Sequence, residues 1–283
     1  MAAPRRIEDP AEMQREALAW RAAGKRIAFV PTMGFLHEGH AALLRDARTR
    51  GDVLVLSIFV NPTQFGPNED LDRYPRDLPR DLAIAEREGT DVVFLPTRET
   101  MYPAGYSTYV EVGGVSEPLE GEKRPGHFKG VATIVSKLFL CVQPHAAVFG
   151  QKDWQQLAVI RRMTADLNLP VEIVGHPIVR EPDGLALSSR NVYLSPAERA
   201  RALSLSRGLA AADALFRSGE RRAPVLVGAA MTELAPDAGV VVEYVALVDP
   251  DTLRAVDPAP ARALMALAVK VGKTRLIDNR VLG

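Results

Sequence analysis

Two histidines three residues apart, a lysine after a short apolar run, and an arginine set among serines are the side chains of this 283-residue chain best suited to chemistry on a phosphate. The histidines stand in Pro31-Thr32-Met33-Gly34-Phe35-Leu36-His37-Glu38-Gly39-His40. Gly34 and Gly39 let backbone approach a ligand closely, and a helix opening near Gly39 would offer free N–H groups to an anion. If that turn is helical, His37 and His40 share a face, and two imidazoles there suit negative charge on phosphate oxygens. Zinc proteases need His-Glu-x-x-His, one residue longer than this spacing, so no zinc site is expected. Lys152, in Phe149-Gly150-Gln151-Lys152-Asp153, is a compact cation that meets phosphate readily, while Asp153 reads as a helix cap. Leu187-Ser188-Ser189-Arg190-Asn191 assembles two hydroxyls, adjacent amides and a guanidinium into an anion clamp, with a plain Ser-rich turn as the alternative. Asn61-Pro62-Thr63-Gln64-Phe65 contributes carboxamides, and Gln156, one turn beyond Lys152, can face the same space. Asp81 reads either as an indirect metal contact or as a surface salt-bridging residue.

These motifs need a frame that brings them to one edge. Residues 26–30, 53–60, 91–95 and 146–149 are short runs of nearly continuous apolar character, the mark of strands buried on both faces. Helical patterns lie between them at 40–50, 77–88, 130–142 and 153–168. In the third, Val131, Ile134, Val135, Leu138, Phe139 and Val142 share one face. Such alternation predicts a doubly wound parallel sheet, in which ligands settle at the carboxyl ends of strands. Both the His pair and Lys152 follow strands directly. After a strand at 171–174 the character changes: a loop-like stretch at 180–191, a long helix at 196–218 and strands at 240–247, 263–271 and 276–277. A boundary near Val179 divides the chain into residues 1–179 and a smaller α+β domain of residues 180–283. Gly272-Lys273-Thr274 imitates the end of a phosphate loop, but Leu267 stands where the leading Gly belongs, and no Gly-x-Gly-x-x-Gly follows the first strand.

Composition narrows the function classes. Lys+Arg 35 against Asp+Glu 35 gives zero formal charge, a poor match for a large polyanion such as tRNA or DNA, so no nucleic-acid partner is expected. Cys141 is the single cysteine, which rules out an intramolecular disulfide and leaves no thiolate metal cluster; it reads as a small buried apolar side chain. Apolar stretches such as 53–60 are too short to span a bilayer, and the first residues lack the apolar core of a signal peptide, so a cytoplasmic protein with no membrane partner is expected.

Pro31-Thr32-Met33-Gly34, His37-Glu38-Gly39-His40, Ser57-Ile58-Phe59-Val60-Asn61-Pro62-Thr63-Gln64-Phe65, Arg124-Pro125-Gly126-His127-Phe128, Lys152-Asp153 and Ser188-Ser189-Arg190-Asn191, in that order, closely resemble the pantothenate synthetase family of AMP-forming pantoate–β-alanine ligases. Similarity runs over essentially the whole chain, down to Leu276-Ile277-Asp278-Asn279. A lone His-x-Gly-His would point only to the wider nucleotidyl-transfer superfamily that includes class I aminoacyl-tRNA synthetases. The resemblance implies a ligase joining (R)-pantoate to β-alanine through a pantoyl-adenylate, with ATP consumed and AMP and diphosphate released. It further implies a Rossmann-like first domain, a C-terminal domain acting as a lid, Mg²⁺ accompanying ATP, and a homodimer.

Carried onto this chain, the resemblance assigns Met33, Gly34, Phe35, Leu36, His37, Glu38, Gly39 and His40 to ATP, with His40 as the proton donor. Gly150, Gln151, Lys152, Asp153, Val179, Leu187, Ser188, Ser189 and Arg190 complete the nucleotide site. Gln64 and Gln156 would bind pantoate near Asn61, Gln64 also lying beside β-alanine. His37, His40, Lys152 and Arg190 would meet the developing phosphate charge. Two positions depart from the pattern: Gln151 replaces a frequent Glu and Val192 a frequent Gly. The competing readings are another nucleotidylyltransferase of the superfamily, which would release no AMP on adding an amine, and a non-catalytic nucleotide sensor.

Overall fold

A strand that is apolar on both sides needs cover on both sides, and the helices between the strands supply it. The computed structural model describes residues 3–67, 69, 71–234 and 239–283, which form two compact units. The first unit is Met1–Gln151 with Gln156–Pro177. From its start through the end of its sheet the chain runs β1 (Arg5–Ile7), α1 (Pro10–Ala22), β2 (Ile27–Thr32), α2 (Glu38–Arg48), β3 (Val53–Ile58), α3 (Leu78–Arg87), β4 (Val92–Phe94), the one-turn helices α4 (Arg98–Met101) and α5 (Glu120–Lys123), α6 (His127–Val142), β5 (Ala146–Gly150), α7 (Trp154–Asp166) and β6 (Glu172–His176). The strands are ordered β1-β4-β3-β2-β5-β6 and every pairing is parallel. This is a Rossmann-like doubly wound sheet. Strand order reverses between β2 and β5, so the crevice outside their carboxyl ends is the switch point at which such sheets take ligands.

Side chains alternate across each strand. Ile27, Phe29, Val53 and Val55 pack with Met13, Val131, Leu138 and Phe139 on the face of α1 and α6. Ala28, Val30, Leu54 and Leu56 pack with Leu43, Leu44 and Ala85 on the face of α2 and α3. Four elements of this unit go beyond the sequence reading: β1, α1 and the one-turn helices α4 and α5. β1 has only three residues, too few for a periodicity. α1 has a weak apolar stripe, although its start is marked: Asp9 accepts from the Glu12 N–H at 2.7 Å and Pro10 occupies the first turn.

The second unit comprises Lys152–Gln155 and Ile178–Gly283, so it carries the lysine of the Gly-Gln-Lys-Asp motif. Here α8 (Pro196–Arg217) and α9 (Ala223–Leu234) pack on an antiparallel sheet of β7 (Val240–Val248), β8 (Ala263–Val271) and β9 (Thr274–Leu282), ordered β7-β8-β9. Ser195 and Glu198 close a capping box at the start of α8. β9 extends well past the predicted 276–277 because the whole of it pairs with β8. Gly272 and Lys273 form the two-residue turn of that hairpin, Gly272 at φ 58°, which accounts for the phosphate-loop look-alike. Among the described residues no helix is long and apolar enough to cross a membrane. Cys141 is half-buried on α6 rather than fully enclosed, and burial pushes its thiol up to about 11, away from nucleophile chemistry.

In the first unit α6 lies close against the 3₁₀ turn Pro62–Gln64. A Cβ on Gly130 would fall 2.3 Å from the Thr63 carbonyl oxygen and 2.7 Å from the Gln64 Cα. Gly130→Ala should therefore lower stability by about 1–3 kcal/mol, read from the urea midpoint, despite alanine's better helix propensity.

Candidate active site

The chain leaving β2 turns sharply. Thr32 Oγ1 donates to the Ser57 carbonyl at 2.8 Å and accepts the Gly34 N–H at 3.2 Å. Gly34 and Phe35 then both adopt left-handed backbone, φ 82° and 51°. At Gly34 a side chain would sit 2.9 Å from Ile58 Cγ2 and 3.0 Å from Asp81 Oδ2, so only glycine fits. The amides of Phe35 and Leu36 point at the Asp81 carboxylate, 2.8 and 2.6 Å away. Asp81 is 1% exposed, so of its two readings the surface salt bridge does not hold: it is a buried acceptor reaching from α3 into the loop. Burial pushes its carboxyl above the ordinary value, while the two amides pull the other way. The Arg80 guanidinium lies 5.2 Å from the centre of the Phe35 ring.

The loop delivers the histidines to the start of α2. His37 is the N-cap and its Nδ1 accepts the Gly39 N–H at 3.1 Å; His40 Nδ1 accepts the His37 N–H at 3.3 Å. The ring centres are 4.1 Å apart. With Nδ1 of each neutral ring occupied as an acceptor, the proton sits on Nε2, and both rings become donors there. The helix begins at Glu38, and the Gly39 amide that the sequence reading offered to an anion is taken by His37.

Beside this loop lies a cluster of uncharged amides. Gln64 Nε2 donates to Met33 Sδ at 3.1 Å and its Oε1 accepts from Asn61 Nδ2 at 3.1 Å. Asn61, 1% exposed, also donates to the Gly130 carbonyl and accepts from Tyr102 Oη at 2.8 Å. Burial pushes the Tyr102 phenol up to about 12, which keeps it a donor. Below, Arg124 holds Glu69 in a two-pronged pair at 2.7 and 2.6 Å and donates to His127 Nε2 at 3.0 Å. His127 Nδ1–H in turn donates to the Gln64 carbonyl at 2.8 Å. The sequence reading quotes Arg124 and His127 without giving either a task; here they hold the backbone of Gln64.

At the far side of the switch point, Gly150 ends β5 opposite His176, and Gln151 Nε2 donates to the Gly175 carbonyl at 3.2 Å. Gln156 is half-buried on α7. The remaining predicted residues belong to the second unit. Lys152 and Asp153 sit in the 3₁₀ turn Gln151–Asp153 that precedes α7, so Asp153 is part of that turn. The Val179 carbonyl accepts the Leu187 N–H at 3.0 Å, Ser188 Oγ caps the 3₁₀ turn Ser189–Tyr193 by accepting the Arg190 N–H at 3.3 Å, and Ser189 is buried.

The family model for pantoate-beta-alanine ligase matches residues 5–281. The chain belongs to the pantoate–β-alanine ligase family. Like the rest of that family it is an enzyme, a ligase that joins pantoate to β-alanine through an amide bond. It is 58% identical over 277 residues to a pantothenate synthetase of Geobacter sulfurreducens, covering 98% of each chain. It superposes on the pantothenate synthetase of Thermus thermophilus with a TM-score of 0.92 at 47% identity, again over 98% of both chains. The ligase of Francisella tularensis, solved in complex with beta-gamma ATP and β-alanine, matches with a TM-score of 0.79 at 32% identity over 99% of this chain and 98% of that one.

The buried His127 yields a pH prediction. Burial, reinforced by Arg124, lowers its pKa from 6.5 to about 4. Between those values the unfolded chain binds the proton and the folded chain does not, so stability rises with pH there. Acidifying from pH 7 to about 4.5 should cost the wild type about 2 kcal/mol more unfolding free energy than it costs His127→Gln, measured by urea titration at both pH values.

Proposed function

We propose that the chain activates the pantoate carboxylate at the His37–His40 pair, by transferring AMP to it from ATP, before β-alanine attacks. A carboxylate resists amines because its charge repels them and oxide is a poor leaving group. In the first step a pantoate oxygen attacks the α-phosphorus in line and diphosphate leaves. In the second the neutral amine of β-alanine attacks the acyl carbon, the C–N bond forms, and AMP departs with the bonding electrons. Neither step needs a protein nucleophile; positioning and charge neutralisation carry the rate.

The observation that carries this reading is the pair of imidazoles, 4.1 Å apart, whose Nδ1 atoms are both engaged as acceptors at the carboxyl end of β2. Their Nε2–H groups suit the negative charge that grows on phosphate oxygens, and His40 is read as the proton donor. Met33, Gly34, Phe35, Leu36, Glu38 and Gly39 would cradle the nucleotide. Gly150, Gln151, Asp153, Val179 and Leu187 would extend that site. Lys152 and Arg190 would neutralise phosphate charge while Ser188 and Ser189 contact its oxygens. Gln64 and Gln156 would take pantoate by donating to its carboxylate and accepting from its hydroxyls, with Gln64 also beside β-alanine; Asn61, read from the sequence as a further contact, is buried with both amide hydrogens bonded within the protein and would instead hold Gln64 in place. Their uncharged amides leave the attacking carboxylate nucleophilic.

Among the described residues no group of three or more His, Cys, Asp or Glu side chains gathers as a metal cage. That fits Mg²⁺ brought in on the nucleotide, since this ion keeps much of its water and binds substrate phosphates. When bound it would offset phosphate charge. The family resemblance also supports a homodimer, a cytoplasmic location and a lid role for residues 180–283.

An assay for AMP release with ATP, pantoate and β-alanine, omitting each in turn, tests the whole reading. AMP should appear only with all three, and ATP–diphosphate exchange should require pantoate alone. AMP release without β-alanine at the full rate, or exchange without pantoate, would overturn it. His40→Ala should slow exchange by about 10²-fold or more, equivalent to about 3 kcal/mol, and a rate within about threefold of wild type would remove His40 from this role. Gln64→Ala should weaken pantoate far more than ATP in calorimetry; equal losses would count against the pantoate assignment.

A further inference from the structure

Two buried polar residues sit side by side in the C-terminal strand, and the reaction just described gives them no task. Asp278 and Asn279 on β9 are 3% and 5% exposed, and burying such groups is unfavourable unless they are fully bonded. As neighbours on a strand they face opposite sides of the sheet. Asp278 takes a two-pronged grip from Arg180, at 2.7 and 2.9 Å, on the side where the adjacent Arg280 pairs with Asp213 of α8. Arg180 also reaches the Gly184 carbonyl at 3.1 Å and is bridged to Ala186, which closes residues 180–186 into a tight hairpin. That hairpin feeds straight into Ser188–Arg190, whose 3₁₀ turn packs on β9. On the opposite side, Asn279 Nδ2 donates to the Lys152 backbone carbonyl at 2.8 Å. The same segment is pinned a second time where Trp154 Nε1–H donates to the Pro250 carbonyl at 2.8 Å.

We infer that Asp278 and Asn279 are positioning residues for adenylate formation: one strand sets both phosphate-directed groups of the second unit, Asn279 by fixing the Lys152 backbone and Asp278, through Arg180, by fixing the approach to Arg190. The inference rests on the reading above that Lys152 and Arg190 act on the phosphates. β9 suits the task because it pairs along its length with β8, Leu267 opposite Asp278 and Ala266 opposite Asn279, so neither residue can shift without breaking the ladder. A cation on a long flexible stem gains most from such support, since an error of about 1 Å at a reacting group costs on the order of 10²-fold in rate.

The test compares Lys152→Ala, Asn279→Ala and the double variant in full-length enzyme, following ATP–diphosphate exchange for the first half-reaction and attack of β-alanine on synthetic pantoyl-adenylate for the second. Asn279→Ala should slow exchange by about tenfold or more and raise KM for ATP, while aminolysis stays within about threefold of wild type. In the double variant Asn279→Ala should add no more than about twofold to the Lys152→Ala loss, because both changes act on one group. Equal loss in both half-reactions, or losses that multiply, would overturn the inference and leave Asn279 a purely structural residue. If Lys152→Ala slows exchange and Asn279→Ala does not, positioning alone fails; if Lys152→Ala leaves exchange at the wild-type rate, the phosphate role of Lys152 fails and the inference falls with it. Arg180→Lys provides the other arm and keeps a cation on Asp278 should Asn279→Ala not fold. It should raise KM for ATP with aminolysis spared, and its effect should be non-additive with Arg190→Ala; additive losses there would overturn the Asp278 half.

Discussion

A carboxylate buried under a loop holds the turn between β2 and α2 in shape. Asp81 comes from the first turn of α3, and its two oxygens accept the amides of Phe35 and Leu36. Those amides belong to a stretch bent left-handed at Gly34 and Phe35, a conformation that costs free energy at a residue bearing a side chain. Two charge-assisted hydrogen bonds in a site sheltered from water offset that cost. The carboxylate also explains why Gly34 has no room for a Cβ. Immediately downstream, His37 caps α2 through its own bonds to Gly39 and His40.

The chemistry proposed above it would rest on groups whose hydrogen bonding is fixed by their neighbours. His37 and His40 accept on Nδ1, which leaves Nε2 as the ring donor, whereas His127 donates from Nδ1 and accepts on Nε2. One residue type thus appears in two tautomers, each set by what its Nδ1 meets. Around Gln64 the bonding runs from Tyr102 to Asn61 to the Gln64 side chain, with His127 and Arg124 holding its backbone from below. Under the proposed assignment a carboxylate substrate beside such a cluster would meet oriented dipoles in place of a neutralising cation, which would preserve its power as a nucleophile. This is what activation by adenylation requires, and the membership of the chain in a pantoate–β-alanine ligase family supplies the acid and the amine.

Much of the frame is legible along the chain because parallel strands covered on both faces leave a simple trace. Runs such as 26–30 and 146–149 are almost wholly apolar, and α6 shows a stripe at helical spacing. Elements that lack such a trace escape: β1 is three residues long, and α1 buries only Met13 and Ala17. Asp9 and Pro10 mark where α1 begins, a signal that capping rules would pick up where periodicity does not. Likewise β3 stops at Ile58, short of the expected 60, where the chain leaves for the 3₁₀ segment at Pro62.

Residue types and short spacings were enough to mark the His pair, the carboxamides, Lys152 and the Ser-Ser-Arg stretch as groups suited to phosphate and carboxylate, since that suitability is a property of the side chains themselves. Their supports were not readable in this way. Asp81 lies 45 positions from Leu36, Asp278 lies 98 from Arg180, and Asn279 lies 127 from Lys152. None of the three shows its partner in the sequence, because a partner distant along the chain leaves no periodic mark. Burial and bonding exist only once the sheets have formed, and it is they that turn these three residues into fixed supports.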